Sequence, residues 1–165
     1  MKSSVVHIIG LGATANDFKP DGNITIGVND VKGCDHQVCV DRPLVFSPER
    51  LQTIRGLNVK CFFSQLDDWS FIDALHMIQL KSINAHNGRW SEFIPSSNNS
   101  PFVACGIAYH IYGAKEIRLW GVDFNDHPNI KDEMREQAVR DYALLNEKIG
   151  GIIKPHPDSY LFGKI

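Results

Sequence analysis

The chain has 165 residues, of which 43% are apolar and 22% charged, with a formal net charge of −2. That length suits a single domain burying roughly 70% of its unfolded surface, and the composition excludes a disordered chain. The near balance of charge removes the electrostatic case for nucleic acid or an anionic membrane as partner, and no apolar run approaches the ~20 residues of a membrane span.

The opening MKSSVVHIIGLGATA places an apolar patch between Lys2 and Ala13-Thr14-Ala15, in the manner of a secretory leader. His7 and two glycines interrupt that patch, so the same residues read as a first strand, Val5–Ile9, ending in a glycine turn. Further strands are expected over Ile24–Val28, Gln37–Val40, Val59–Phe63, Ile117–Trp120 and Gly151–Lys154. They are short apolar runs rather than strict alternations, the pattern of strands covered on both faces.

Between them lie helical signals. Ser47-Pro48 starts a helix that Gly56 closes, and Trp69, Ile72, Leu75 and Ile78 place a second helix over Asp68–Leu80. The interval from about 83 to 99 carries Gly, Pro, Ser and Asn in quantity and reads as a long irregular loop, anchored by Arg89, Trp90 and Phe93. In SPFVACGIAYHIYGAKEIRLWGVDF, from Ser100 to Phe124, Ser100 is read as the helix cap and Pro101 as its first residue. Val103, Ala104, Ile107, Ala108 and Ile111 recur at helical spacing, Gly113 suits a left-handed stop, and Asp123 follows the next strand. The final helix sets Met134, Ala138, Tyr142, Leu145 and Ile149 on one face. Asn129 with Asp132 is read as its cap, and Gly150-Gly151 ends it.

This alternation specifies an α/β fold: a Rossmann-like, doubly wound, mostly parallel sheet with helices on both faces, as one domain over residues 1–165. The four cysteines, Cys34, Cys39, Cys61 and Cys105, form no close pair of the kind a zinc ribbon or redox motif uses. Cys39, Cys61 and Cys105 lie inside apolar runs and read as buried free thiols, which suits a reducing cytoplasm.

The polar residues at the strand ends carry the chemistry. Gly10-Leu11-Gly12-Ala13-Thr14 is a turn through which backbone N–H groups can approach a phosphate or ribose. The second strand ends at Asn29, the third at Asp41 and a later one at Asp123. Each alone is ordinary turn chemistry. As an ordered set they mark a ligand rim at the carboxyl edge of the sheet, where open α/β folds bind.

With IIGLGAT, IGVND, VDRPLVF and GAKEIRLWGVDF in place, the chain resembles the bacterial CMP-sialic-acid-dependent sialyltransferases. It is also similar to a related group that includes the archaeal-type 6-hydroxymethylpterin pyrophosphokinases. The resemblance spans Val5 to Phe46 and Ser100 to Phe124 and touches the last strand. It implies a glycosyltransferase that holds a CMP-like nucleotide or nucleotide sugar. Gly10, Gly12 and Thr14 would lie along the phosphates, and Asn29 and Asp41 near the ribose or phosphate. Ser100 would donate to the nucleotide, and Gly121 and Asp123 would line the base and ribose. The family needs no metal, and neither a metal nor a cofactor is expected here.

The chain departs from the family in three places. Ala13-Thr14 stands where Pro-Ser is usual, and Ser100-Pro101-Phe102 stands for Thr-Ser-Gly. The lid that supplies the family's histidine base is reduced to the few residues between Phe124 and the last helix. A base for an acceptor hydroxyl would then be His127 in that interval or His156 after the last strand. Asp123, Asp126 and His127 lack the Asp-x-Asp spacing of metal-dependent transferases and read as a polar turn. Two other readings stay open: a magnesium- and ATP-using pyrophosphokinase, and a binding or assembly module that kept the fold and lost the lid.

Overall fold

The computed structural model describes residues 4–64, 69, 76–79, 82–84, 94–97, 99–125 and 130–165. Its strands are β1 (Val5–Ile9), β2 (Ile24–Val28), β3 (His36–Val38), β4 (Cys61–Ser64), β5 (His76–Gln79), β6 (Ser82–Asn84), β7 (Ile94–Ser96), β8 (Glu116–Trp120) and β9 (Ile153–Lys154). The α-helices among the described residues are α1 (Pro48–Arg55), α2 (Ser100–His110) and α3 (Asp132–Lys148). Seven strands form one sheet in the order β5-β4-β3-β2-β1-β8-β9, and every neighbouring pair is parallel.

The chain therefore steps outward from β1 to β5, then returns to the other side of β1 as β8 and β9. The fold is α/β and Rossmann-like. The reversal at β1 opens a crevice beyond the carboxyl ends of β1 and β8. Register aligns its walls, since Ile9 lies opposite both Trp120 and Gly27. Gly10, Gly121 and Asn29 leave the sheet close to one level.

Strand periodicity divides the core. Val6, Ile8, Ile26, Val38, Ile117 and Leu119 pack with Val103 and Ile107 of α2 and with Tyr142 and Leu145 of α3. Cys39 and Phe62 pack instead with Ile54 of α1, Phe46, Val59 and Trp69. Adjacent Phe62 and Phe63 enter different clusters because successive strand side chains point to opposite faces. Each buried aromatic or branched side chain contributes about 1.5–3 kcal/mol relative to exposure. β4, claimed on both faces, therefore has no reason to alternate with polar residues, whereas β8 does alternate and leaves Arg118 exposed.

Several expectations are corrected. The helix expected over Asp68–Leu80 gives way to strand at His76–Gln79, where the chain pairs with β4 from Cys61↔His76 to Ser64↔Gln79. A short apolar run fits either period, and edge pairing decides. The irregular interval near 83–99 contains β7 and most of β6, which pair parallel to each other; Arg89, Trp90 and Phe93 lie outside the described residues. The α2 cap is Asn99, whose side chain accepts from Phe102 N, so Ser100 is the first helical residue. Ile111 and Met134, expected on apolar faces, are exposed at 43% and 54%. At the start of α3 the cap position falls on Lys131, which makes no side-chain cap bond, and Asn129 lies outside the described residues. Gly113 does adopt the left-handed conformation, with φ 66°.

All four cysteines are free, and Cys61 is only half-buried. Burial raises the Cys34 thiol to about 11 and pushes Cys39 and Cys105 higher still, which keeps them protonated and inert. Among the described residues no helix is long and apolar enough to cross a membrane.

Candidate functional site

A cleft of about 540 Å³ opens at the reversal point, walled by the glycine turn after β1, the segment after β8 and the start of α2. Gly10, Gly12, Asn29, Gly121 and Asp123 all line it. The glycine turn is held against the β8 side by backbone bonds, Gly10 N–H to Trp120 O (2.6 Å) and Gly12 N–H to Gly121 O (2.8 Å). A Cβ on Gly10 would overlap the Gly121 carbonyl, and one on Gly12 would strike the Asp123 carboxylate. These glycines are therefore required by the contact between two turns, before any ligand enters.

Thr14 is the second residue of a short 3-10 turn, Ala13–Asp17, and is itself buried. Its N–H donates to Asp123 Oδ2 at 3.0 Å, and its hydroxyl donates to Asp123 Oδ1 in a very short bond. The same hydroxyl accepts from Gly121 N–H at 2.8 Å. Asp123 borders the cleft, yet both of its oxygens are already engaged by Thr14. On the backbone of the glycine turn, Leu11 and Ala13 have N–H groups with no partner among the described residues.

The opposite wall presents amides. Asn29 sits in the left-handed region (φ 53°), which asparagine tolerates better than most residues. Its Oδ1 accepts from the Ser100 hydroxyl at 3.2 Å, while Ser100 Oγ accepts from Val40 N–H at 3.4 Å. Ser100 thus stands behind Asn29 and orients it. Asn99 Oδ1 accepts from Phe102 N–H (3.1 Å) and from Tyr142 O–H (2.7 Å). A backbone N–H can only donate, so the orientation of the Asn99 amide is settled and its NH₂ faces away from both partners. The first turn of α2 keeps few free donors, because Pro101 has none, Phe102 N–H is capped and Val103 N–H reaches Asn99 O. The side-chain amides, rather than a fan of helix N–H groups, supply the donors here.

A second cleft of about 340 Å³ lies between the start of α2 and α3 and shares Asn99, Phe124 and Ile130 with the first. Phe124 adopts φ 54°, an uncommon conformation for a bulky residue. Arg135 donates to its carbonyl oxygen at 2.7 Å and also to Asn125 O, and the Phe124 ring packs edge-on against Tyr142.

The remaining expected site residues fall elsewhere. Asp41 lines neither cleft; its carbonyl accepts from Trp69 Nε1 at 2.9 Å. Burial raises its carboxyl above the usual range, against the opposing charge of Arg50, which itself pairs with Asp30 at 2.6 Å. His156 Nε2 meets Asp17 at 2.8 Å, its Nδ1 accepts from Asp158 N–H, and its ring stands edge-on to Trp120. It lies outside both clefts. Asp17, His156 and Asp158 bring ligand atoms within 4.8 Å of one another, but both histidine nitrogens are already occupied inside that group. Asp126 and His127 lie outside the described residues.

His7 is buried with both nitrogens used. Nε2 reaches Asp21 at 2.9 Å, and Nδ1 accepts from the Trp120 indole at 3.0 Å. Indole only donates, so the proton of neutral His7 is on Nε2. Hydrogen bonds from Asn23 N–H and then from His7 hold the Asp21 carboxyl down to about 2. Asn99 and Phe124 were not singled out from the sequence as site residues. An Asn immediately before Ser-Pro was a cap signal that pointed to the first; nothing in the sequence marks the left-handed turn at the second.

No family model, curated protein or solved structure matches this chain.

Proposed function

We propose that the chain binds a CMP-like nucleotide in the cleft at the β1–β8 reversal and transfers the sugar that it carries, as a small glycosyltransferase of the sialyltransferase type. The observation that carries this reading is the convergence of three strand ends on one cleft: Gly10 and Gly12, Asn29, and Gly121 with Asp123. The resemblance of GAKEIRLWGVDF supplies the nucleotide class. In this reading the phosphate lies against the open N–H groups of Leu11 and Ala13, and the Asn29 and Asn99 amides donate to ribose or base. Asp123 acts by fixing the glycine turn through Thr14. Transfer would break the bond between the anomeric carbon and the phosphate oxygen, with CMP leaving with the electron pair. The acceptor oxygen would bond to that carbon and lose its proton to a base.

Calorimetric titration with CMP, CDP and CMP-sialic acid tests the binding step. Saturable heat with CMP supports the reading, and no heat with any of the three overturns it. Release of CMP from a CMP-sugar in the presence of acceptor tests turnover.

One observation favours a second reading, a nucleotide-binding module without catalysis. Of the two histidines considered as base, His156 is committed to Asp17 and Asp158 outside the cleft, and the only ionisable group among the described residues lining the first cleft, Asp123, is committed to Thr14. Binding of CMP with no turnover of any CMP-sugar would select that reading.

A further inference from the structure

The two clefts share Asn99, Phe124 and Ile130 in their walls, which places them side by side. In the first, glycine backbone and the Asn29, Asn99 and Asn125 amides are set among apolar side chains, and the one carboxylate of its described lining, Asp123, is engaged by Thr14. The second is walled by Phe102, Phe124, Met134 and Tyr142, with Gln137 and Asp141 at its polar side. Asp141 is the one charged residue among its described lining. Its Oδ1 accepts from Gln137 Nε2 at 2.8 Å, and its other oxygen has no partner among the described residues. Gln137 in turn accepts from Arg140 through Oε1, which leaves the carboxylate as the acceptor available to a ligand.

We propose that the two clefts form one two-part site. The second cleft receives the substituent carried on the nucleotide phosphate, and it selects a substituent with an apolar body that is cationic, or uncharged with hydrogen-bond donors, over a carboxylate-bearing one. This rests on the nucleotide reading of the first cleft and narrows it: a sialate, which is itself anionic, is the wrong charge for the pocket beyond the waist. Three features favour the selected class. Aromatic and thioether surface accepts the apolar body of an alkylammonium or a sugar ring face. The free Asp141 oxygen accepts from a donor or attracts a cation. A carboxylate placed there meets the like charge of Asp141 at close range, which disfavours it. Phe124, pinned by Arg135, gives the waist a fixed shape, so length and charge both enter the selection.

The test is calorimetric titration of the whole chain with CMP, CDP, CDP-choline and CMP-sialic acid, repeated on Asp141→Asn and Met134→Trp. Met134 is exposed on α3 and Asp141→Asn is isosteric, so both variants keep the fold, which circular dichroism and the thermal midpoint verify. For the native chain, CDP-choline binds at least about 5-fold tighter than CDP, whereas CMP-sialic acid binds no tighter than CMP. Asp141→Asn shrinks the choline advantage to less than about 2-fold and leaves CMP unchanged. Met134→Trp, which fills the pocket, removes the advantage and also leaves CMP unchanged. If CMP binds but the two substituted nucleotides show no such contrast, or neither variant alters it, the inference is overturned and the nucleotide reading stands. If no nucleotide gives heat, the reading of the first cleft is overturned and the inference falls with it.

Discussion

Thr14 donates its backbone N–H and its hydroxyl to the two oxygens of Asp123, 109 residues away, and its hydroxyl accepts from Gly121 N–H in return. The turn after β1 and the turn after β8 are thereby one hydrogen-bonded unit. Thr14→Val keeps the shape but strands a buried carboxylate oxygen and the Gly121 N–H. We expect a loss of about 2–3 kcal/mol, read as a lower urea midpoint with an unchanged m-value. Thr14→Ser keeps both bonds and should lose less than about 1 kcal/mol. Equal losses in the two variants would show that the hydroxyl contributes nothing.

The glycine turn makes a sharper contrast. A methyl group at Gly10 meets the Gly121 carbonyl carbon and oxygen, which are backbone and cannot swing aside. Gly10→Ala should therefore cost about 3 kcal/mol or more, or prevent folding. Gly56, after α1, has φ −89° and nothing nearer than 3.6 Å to its added Cβ. Gly56→Ala should be neutral or stabilising by up to about 1 kcal/mol. Thermal denaturation of the pair decides whether packing or mere glycine content matters.

This explains how far the sequence could be read. β1, β2 and β8 were legible because their apolar runs are bounded by turn residues, and their alternate side chains Val6, Ile8, Ile26, Val28, Ile117 and Leu119 all enter one core. The convergence at the cleft was legible as an ordered series of strand-end residues. The commitment of those residues to one another was not: a glycine needed by a neighbouring turn and a glycine needed by a phosphate look alike in one dimension. β5 was misread because four residues, His76–Gln79, carry too little pattern to separate a helical period from a strand. Asp41 was grouped with the site because it follows a strand, yet it lines neither cleft and sits where burial outweighs the charge of Arg50.

Acid should weaken the fold through two histidines. Burial lowers the pKa of His36, with Asp35 opposing and Lys60 reinforcing, and burial alone lowers that of His110. Each has a buried ring nitrogen without a partner among the described residues, so protonation in place gains no bond. The unfolded chain takes up protons near 6.5, above the folded values, so stability is complete above about 6.5 and declines as pH falls below it. The slope is at most about 1.4 kcal/mol per pH unit for each group. His36→Phe preserves the stack on Tyr112, whose ring centroid lies 4.7 Å away, and should flatten the decline between about pH 7.5 and 5. A variant whose urea midpoints fall as steeply as the native chain's would assign the acid sensitivity elsewhere.

Asn99 separates architecture from recognition within one side chain. Its Oδ1 caps α2 through Phe102 and satisfies the buried Tyr142 hydroxyl, while its NH₂ group is left to the cleft wall. Asn99→Ala removes everything and should cost about 2 kcal/mol, the sum of a lost cap and an unpaired phenol. Asn99→Asp keeps an acceptor for both donors and places a negative charge at a helix N-terminus, where it is tolerated, so its thermal midpoint should stay near native. The same change deletes the two donors and turns that part of the wall anionic. CMP affinity should then fall by at least about 10-fold while stability holds. Native affinity in a stable Asn99→Asp chain would mean that the amide faces the cleft without touching the ligand, and the donor wall would reduce to Asn29 and the open backbone of the glycine turn.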